Sequence, residues 1–331
     1  MIKHNKMSWL FFFYFVNGLL FSESRFLKKD KYLNGPQKEW SQRQFAKYYR
    51  YINKHSRKTA DSDEQILRRQ DAIISGNKIT TQIWNYGSIS EPGNRVTDII
   101  WEGLGYGYEF GPFISAEVPL VSNKHPDAYP KVIDGDTTWY ARVISDGLVT
   151  DPERSPDGSE YWTWEPLAYS DEGLFFADPD YDKIPTASDI DRDFDGKPDS
   201  WASDWYNPNL KEYVWPGDLR QGASNADEEA FFVCDDRNNK EFEYYPFPDD
   251  SSRKGLGIQI EYRYYQWANP LAEDIIFLIY KITNKSPKDL ENVIFGMWGD
   301  PHIGGPSDWS DDLSYFDQEI NMVYCWDEDG S

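Results

Sequence analysis

The chain has 331 residues and a formal net charge of -23, and 17% of its residues are aromatic. A chain of this length can bury a core large enough for two domains, and its aromatic content excludes general disorder. The strong negative charge excludes nucleic acid as a partner and disfavours anionic membrane surfaces, whereas divalent cations are attracted.

Residues 1–24 have the features of an export signal. Lys3 and Lys6 precede an apolar run from Met7 to Phe21, and the small residues of 22–24 follow as a cleavage region. The run is short for a bilayer span, although an uncleaved membrane anchor remains the alternative. We therefore expect a secreted or cell-surface protein without stable membrane insertion after cleavage.

Residues 25–76 form a basic segment of different character. Between residues 25 and 60 there are eleven basic and two acidic side chains, and Phe45, Tyr48 and Ile52 fall at helical spacing. We predict a short helical leader. It either contacts a membrane or an acidic partner, or it is a solvated linker that lies on the acidic body.

Residues 77–254 are predicted to be a β-rich domain with many Trp and Asp residues. Alternating apolar and polar residues predict strands at 79–84, 113–120, 139–144 and 230–234. Between Gly147 and Asn225 the periodicity is weak. A loop of this length needs bound cations or buried tryptophans to order it.

Residues 255–331 carry the clearest strand pattern. Residues 258–264 alternate, whereas 275–282 are apolar on both faces, which is typical of a central strand buried on two sides. Further strands are expected at 293–297 and 322–326. The fold class that we predict is mainly β, with an Ig-like or fibronectin-like β-sandwich at the C-terminal side. We expect this sandwich to be truncated, because an acidic turn directly follows its last strand.

One acidic stretch predicts a calcium site. Carboxylates recur at alternate positions and a glycine, Gly196, then turns the chain, as in loops that gather oxygens around a hard cation. The predicted ligands are Asp191, Asp193, Asp195, the Lys197 carbonyl and Asp199, with Asp189 beside them and Asp204 as a late ligand. Ala202 stands where the helical form of such loops has glutamate. The alternative is a solvated acidic turn, in which only Arg192 and Lys197 locally offset the repulsion between the carboxylates.

Two further acidic groups suggest metal sites with less regular spacing. The first follows the strand that ends at Cys234, and its candidate calcium ligands are Asp235, Asp236 and Asn238, with Asn239 and Glu241 nearby. The second surrounds a glycine turn and comprises Asp300, Asp308, Asp311, Asp312 and Asp317. Exposed turns rich in Asp and Asn are the alternative for both.

The motifs for common catalytic chemistries are absent from the sequence. Outside the leader only His125 and His302 remain, so H-E-x-x-H zinc chemistry is excluded, and no G-x-S-x-G motif is present. The glycines of 103–111 alternate with aromatic residues and predict a strand or hairpin. We expect no catalytic residue and a structural or solvated role for both histidines. Because 57 residues are acidic, no carboxylate pair stands out as a glycosidase site.

Three stretches resemble a known group of proteins. They are Asn85–Ile89, Gly103–Gly111, and Ile282–Ser286 continued by Phe295–Pro301. They are similar to the N-terminal regions of large uncharacterised secreted bacterial proteins that often end in a type IX secretion sorting domain. The resemblance covers residues 77–331. It implies export and a cell-surface or extracellular location, and it implies no reaction.

The sequence thus predicts an exported, calcium-binding, multidomain β protein that acts as an extracellular structural or binding module. Its partner would be an extracellular glycan or a cell-surface component. The alternative is a carbohydrate-active enzyme or carbohydrate-binding region with a Trp-lined acidic cleft. The tryptophans in question are Trp162, Trp164, Trp201, Trp205 and Trp215, which serve either as sugar-stacking platforms or as core.

Overall fold

The computed structural model describes residues 7–12, 69–90, 95–147, 155–167, 184–192, 194–305, 308 and 310–328. These residues are mainly β, as predicted. The only helical element among them is a single 3-10 turn, Ser203–Trp205. Most of the predicted helical leader lies outside the described residues. Its last part, Asp71–Ile74, is a strand, because pairing with the next strand buries Ala72 and Ile74.

Seventeen strands are described. In chain order they are β1 (Met7–Phe12), β2 (Asp71–Ile74), β3 (Ile79–Trp84), β4 (Ile100–Trp101), β5 (Leu104–Gly105), β6 (Gly107–Leu120), β7 (Tyr129–Ile133), β8 (Asp136–Asp146), β9 (Glu165–Leu167), β10 (Tyr206–Asn207), β11 (Glu212–Tyr213), β12 (Glu228–Asp235), β13 (Ile258–Gln266), β14 (Phe277–Asn284), β15 (Glu291–Pro301), β16 (Asp312–Asp317) and β17 (Met322–Asp327).

All of the strand pairings are antiparallel. One sheet has five strands in the order β1-β14-β13-β12-β9, and a second has the order β15-β6-β8-β7. A smaller sheet follows the order β2-β3-β4-β5, and β10-β11 and β16-β17 form two separate two-stranded sheets. Short turns connect many of these pairs, which suits antiparallel neighbours.

The two larger sheets contribute to one hydrophobic core. Buried side chains of β6 and β8 pack in the same cluster as those of β12, β13 and β14. The rings of Tyr280 on β14 and Phe295 on β15 lie 5.5 Å apart between centroids. Strands on either side of residue 254 also pair directly, because β12 runs beside β13 and β6 beside β15. The predicted domain boundary at residue 254 therefore does not divide this core.

Burial along β14 differs from the sequence expectation. Leu278 and Tyr280 are buried, but Ile279 and Lys281 between them are half-buried. The strand therefore has one well-covered face rather than two. The hydrophobic core packs against the face that carries Leu278 and Tyr280, whereas the face that carries Ile279 and Lys281 is only partly covered.

A second, smaller core orders the described part of the Trp-rich region. Trp205 and Trp215 are buried with their ring centroids 5.4 Å apart at 85°, and Trp201 lies 5.3 Å from Trp215. Phe231 of β12 packs against Trp205. Edge-to-face aromatic contacts of this kind each contribute about 0.5–1.5 kcal/mol beyond area burial. The tryptophans thereby join this irregular segment to the main sheet.

Candidate functional site

The predicted calcium loop begins beside the five-stranded sheet. Thr186 forms a bridge with Ala230 of β12, and the Ala187 amide donates to the Glu229 carbonyl at 2.8 Å. The Trp201 indole donates to the Thr186 carbonyl at 2.8 Å and ties the far end of the loop to its start. These contacts hold the ends of the loop close together against a rigid strand.

Within the loop, one carboxylate closes the turn. The Asp191 carboxylate accepts hydrogen bonds from the Asp195 amide at 3.2 Å and the Gly196 amide at 2.9 Å. Gly196 has φ of +93°, which glycine adopts without strain. Asp195 in turn accepts from the Lys197 amide at 2.8 Å. Asp191 and Asp195 are therefore oriented by the backbone of the turn.

The outer carboxylates of the loop are bound to an arginine. The Arg192 guanidinium donates to Asp189 Oδ1 at 2.6 Å and to Asp199 Oδ2 at 2.9 Å, and the Arg192 amide donates to Asp199 Oδ1 at 3.0 Å. Burial raises the pKa of Asp199, but these hydrogen bonds outweigh it and the net pKa is lowered. The predicted ligands thus fall into two groups: Asp191 with Asp195, and Asp189 with Asp199 around Arg192.

The remaining predicted ligands are placed differently. The Lys197 ammonium donates to the carbonyls of Pro198 at 3.2 Å and Trp201 at 3.1 Å. Asp193 lies outside the described residues, as does the side chain of Asp204. Among the side chains that are described, no three of His, Cys, Asp and Glu are arranged around one metal position. Calcium binding at this loop therefore stays a prediction that depends on Asp193.

At the second predicted site, protein donors surround the two carboxylates. Asp236 is fully buried and accepts from the amides of Leu256, Gly257 (3.1 Å) and Ile258 (3.0 Å), and from the Ser145 hydroxyl at 3.2 Å. Burial raises the pKa of Asp236 to about 7, against the opposing effect of these donors. Through these hydrogen bonds, Asp236 joins the connection between β12 and β13 to Ser145 of β8.

The neighbouring residues at this site are engaged separately. The Asp235 carboxylate accepts from Arg237 Nε at 2.8 Å and faces Arg237 Nη2 at 2.7 Å. Asn238 is half-buried, whereas Asn239 is buried and its side-chain oxygen accepts from the Glu241 amide at 3.0 Å. Asp235 and Asp236 thus both accept hydrogen bonds from protein groups, but their donors are different.

Beside the third acidic group lies a pair that sequence reasoning missed. His302 Nδ1 lies 3.0 Å from Asp98 Oδ1, and the two residues are 204 positions apart. Asp98 is 1% exposed and has φ of +65°. Burial raises the pKa of Asp98, and the hydrogen bond to His302 partly offsets this. His302 is therefore a buried, paired histidine, in agreement with one of the two roles expected for it.

Two glycines, Gly105 and Gly305, lie close to the Asp98 side chain. A Cβ at Gly105 would lie 2.6 Å from Asp98 Oδ2 and 2.9 Å from the Cα atom of Gly305. The nearby Asp312 carboxylate accepts from the Ile303 amide at 3.2 Å, and burial raises its pKa to about 6. Only the glycine-rich spacing hinted at this close packing, since nothing in the sequence links Asp98 to His302.

The tryptophans are mainly core residues. Trp164, Trp205 and Trp215 are buried and therefore cannot stack on a sugar, whereas Trp162 and Trp201 are half-buried.

Cys234 is buried and Cys325 is half-buried, and both are free thiols. Within the described residues, no helix reaches the length and apolarity needed to cross a bilayer.

No protein-family model, curated protein or solved structure matches this sequence.

Proposed function

We propose that the protein is an exported, calcium-binding β protein that acts as a structural or binding module outside the cell or on its surface. The observation that most supports this is the turn closed by Asp191, whose carboxylate accepts from the amides of Asp195 and Gly196. In calcium loops such a turn gathers the oxygens of alternating positions around one cation. The export signal at residues 1–24 and the resemblance to type IX-secreted proteins support the location.

In this proposal the ion is held by Asp191, Asp193, Asp195 and the Lys197 carbonyl. Asp189 and Asp199 join only when Arg192 releases them. Extracellular calcium modules bind with Kd of about 10⁻⁴ to 10⁻³ M. At about 1 mM calcium this stabilises the folded chain by about 0.4–1.4 kcal/mol, which is enough to decide whether a single loop is ordered.

Calcium-dependent protection of the loop tests the proposal. Limited proteolysis of the full chain should cleave near residues 189–204 in chelator and much less in calcium, whereas sodium at equal ionic strength should give no protection. The double change Asp193→Ala and Asp195→Ala should abolish the difference. Asp157→Ala is the matched control, because Asp157 is also an exposed turn carboxylate that accepts a backbone amide. Identical cleavage with calcium and with chelator would refute the calcium site.

We further infer that the part of the chain from residue 255 belongs to an Ig-like or fibronectin-like sandwich. The packing of Tyr280 against Phe295 between the two larger sheets supports this inference. Export would remove the export leader, residues 1–24, so the N-terminal sequence of secreted protein should begin near Arg25. An intact Met1 terminus in the membrane fraction would favour the anchor instead.

A glycan-binding role has one observation in its favour, at a different place from the Trp-rich region. On the β16-β17 hairpin, Tyr315, Tyr324 and Trp326 are 53%, 38% and 40% exposed, and the rings of neighbouring residues lie 5.5–5.6 Å apart. If this aromatic face binds a polysaccharide, Tyr315→Ala with Trp326→Ala should weaken retardation in affinity electrophoresis. Trp162→Ala serves as the comparison. Unchanged retardation of the hairpin variant would exclude this face.

A further inference from the structure

One edge strand of the five-stranded sheet, β1, comes from the predicted export leader, residues 1–24. All six residues of β1 pair antiparallel with β14, from Met7 opposite Ile282 to Phe12 opposite Phe277. They belong to the segment that our proposed function removes on export. Among the described residues, its removal leaves β14 as the edge of the sheet, with no other described strand on that side.

The β14 edge lacks the features that usually protect an exposed edge. Such edges are protected by proline, bulges, short length or charged side chains. Residues 277–282 contain no proline, and β14 pairs with β13 over eight residues without a bulge. Their only charged residue is Lys281, whose ammonium donates to Glu261 Oε2 on β13 at 2.6 Å. The lysine is thus directed towards the neighbouring strand and is neutralised there.

We propose that the β14 edge is a strand-accepting site, which in the exported protein binds an extended apolar segment of another protein chain. The inference rests on the proposed removal of the leader. The incoming segment runs antiparallel to β14 in the register that β1 takes. Main-chain hydrogen bonds supply affinity, and apolar side chains at alternating positions supply selectivity.

The negative charge of the protein favours a partner segment with basic residues. The chain carries a net charge of -23, so basic residues beside the apolar segment favour association. The natural ligand is therefore an extended apolar segment with basic flanks. The segment that contains β1 has this composition on its N-terminal side, where Lys3 and Lys6 precede Met7.

The test uses the full chain and a fluorescent peptide with the sequence of residues 7–12 between lysines. Ser8→Pro with Leu10→Pro prevents β1 from pairing and opens the β14 edge without altering the body. Ser22→Pro with Ser24→Pro is the matched control outside the strand. We expect the strand variant to bind the peptide at least about tenfold more tightly than the wild-type chain or the control, because the intramolecular segment competes in both of them.

Two N-methylated peptides test whether binding is strand pairing. Alternate amides of a strand point to opposite sides, so one peptide is methylated at the positions of Ser8, Leu10 and Phe12 and the other at those of Trp9 and Phe11. One peptide should lose binding by about tenfold or more, and the other should bind almost normally. Equal binding by both peptides, or equal binding by the wild-type chain and the strand variant, would overturn the proposal.

The outcome is separable from that of the proposed function. Peptide binding by the strand variant needs neither export nor calcium, and it can be measured in chelator. N-terminal sequencing of secreted protein, in contrast, reports leader removal and says nothing of β14. If residues 1–24 are retained and the peptide test is positive, β14 can accept a strand but is filled by β1, and binding of another chain in the exported protein is overturned.

Discussion

Arg192 and Asp199 are joined twice, through the guanidinium at 2.9 Å and through the backbone amide at 3.0 Å. This contact holds a positive charge against Asp199, a carboxylate that the predicted calcium loop would use as a ligand. Asp189 shares the same guanidinium at 2.6 Å. The arginine therefore stabilises the metal-free loop and competes with the ion for two carboxylates.

Replacing the arginine should separate these two effects. We expect Arg192→Gln to lower stability in chelator by about 1 kcal/mol, because a partly exposed ion pair is lost. In the same variant, calcium should bind several-fold more tightly by calorimetry, since Asp189 and Asp199 become available as ligands. Arg142→Gln on the exposed part of β8 makes the same change in net charge. An equal rise in affinity in both variants would show that only long-range charge matters.

The buried Asp236 carboxyl should make stability depend on pH. Its pKa is raised from 3.8 to about 7, so the folded state holds its proton over a range in which the unfolded chain has lost it. The stability that it contributes is therefore fully present below about pH 4 and is lost as the pH rises through about 7. Denaturant unfolding between pH 5 and 8 should show a decline in wild type that is smaller in Asp236→Asn. Measurements in chelator exclude a metal effect, and an unchanged slope in the variant would contradict the assignment.

Two glycines with similar backbone conformation allow a matched test of packing near Asp236. Gly255 has φ of +69°, and a Cβ there would lie 2.2 Å from the Asp236 carbonyl oxygen. Gly158 has φ of +72° and open space around it. Gly158→Ala should cost about 1 kcal/mol for the left-handed conformation alone, whereas Gly255→Ala should cost about 3 kcal/mol or more. Similar free energies of unfolding for the two variants would show that the contact relaxes.

The Asp98–His302 pair should be a major stabilising contact between distant parts of the chain. Removing one partner of a buried hydrogen bond leaves the other unsatisfied and typically costs about 1–3 kcal/mol. We expect Asp98→Ala to fall in this range in denaturant unfolding. His125→Gln is the control, because His125 is half-buried and contacts only a local amide, and it should change stability by less than about 0.5 kcal/mol. A small effect of Asp98→Ala would mean that the pair is incidental.

The sequence alone determined the mainly β class and most of the long strands. Alternation in sequence along 258–264 was sufficient, because the strand buries one face fully and the other only partly along most of that length. The same rule failed for β14. An apolar run indicates that a strand is buried but does not show how far each of its faces is covered. The pairing of β14 with residues 7–12 also depends on a segment that is distant in sequence.

Only the tertiary structure decided which acidic residues act together. The spacing of Asp189–Asp199 predicted a group of carboxylates around one ion, but the fold sets Arg192 between Asp189 and Asp199. Asp235 and Asp236 are adjacent in sequence and yet face different donors, because β12 ends at Asp235 and Asp236 begins the connection that follows it. Asp98 and His302 meet across 204 positions. Local spacing determines the chemistry that a segment offers, whereas long-range packing determines which groups meet.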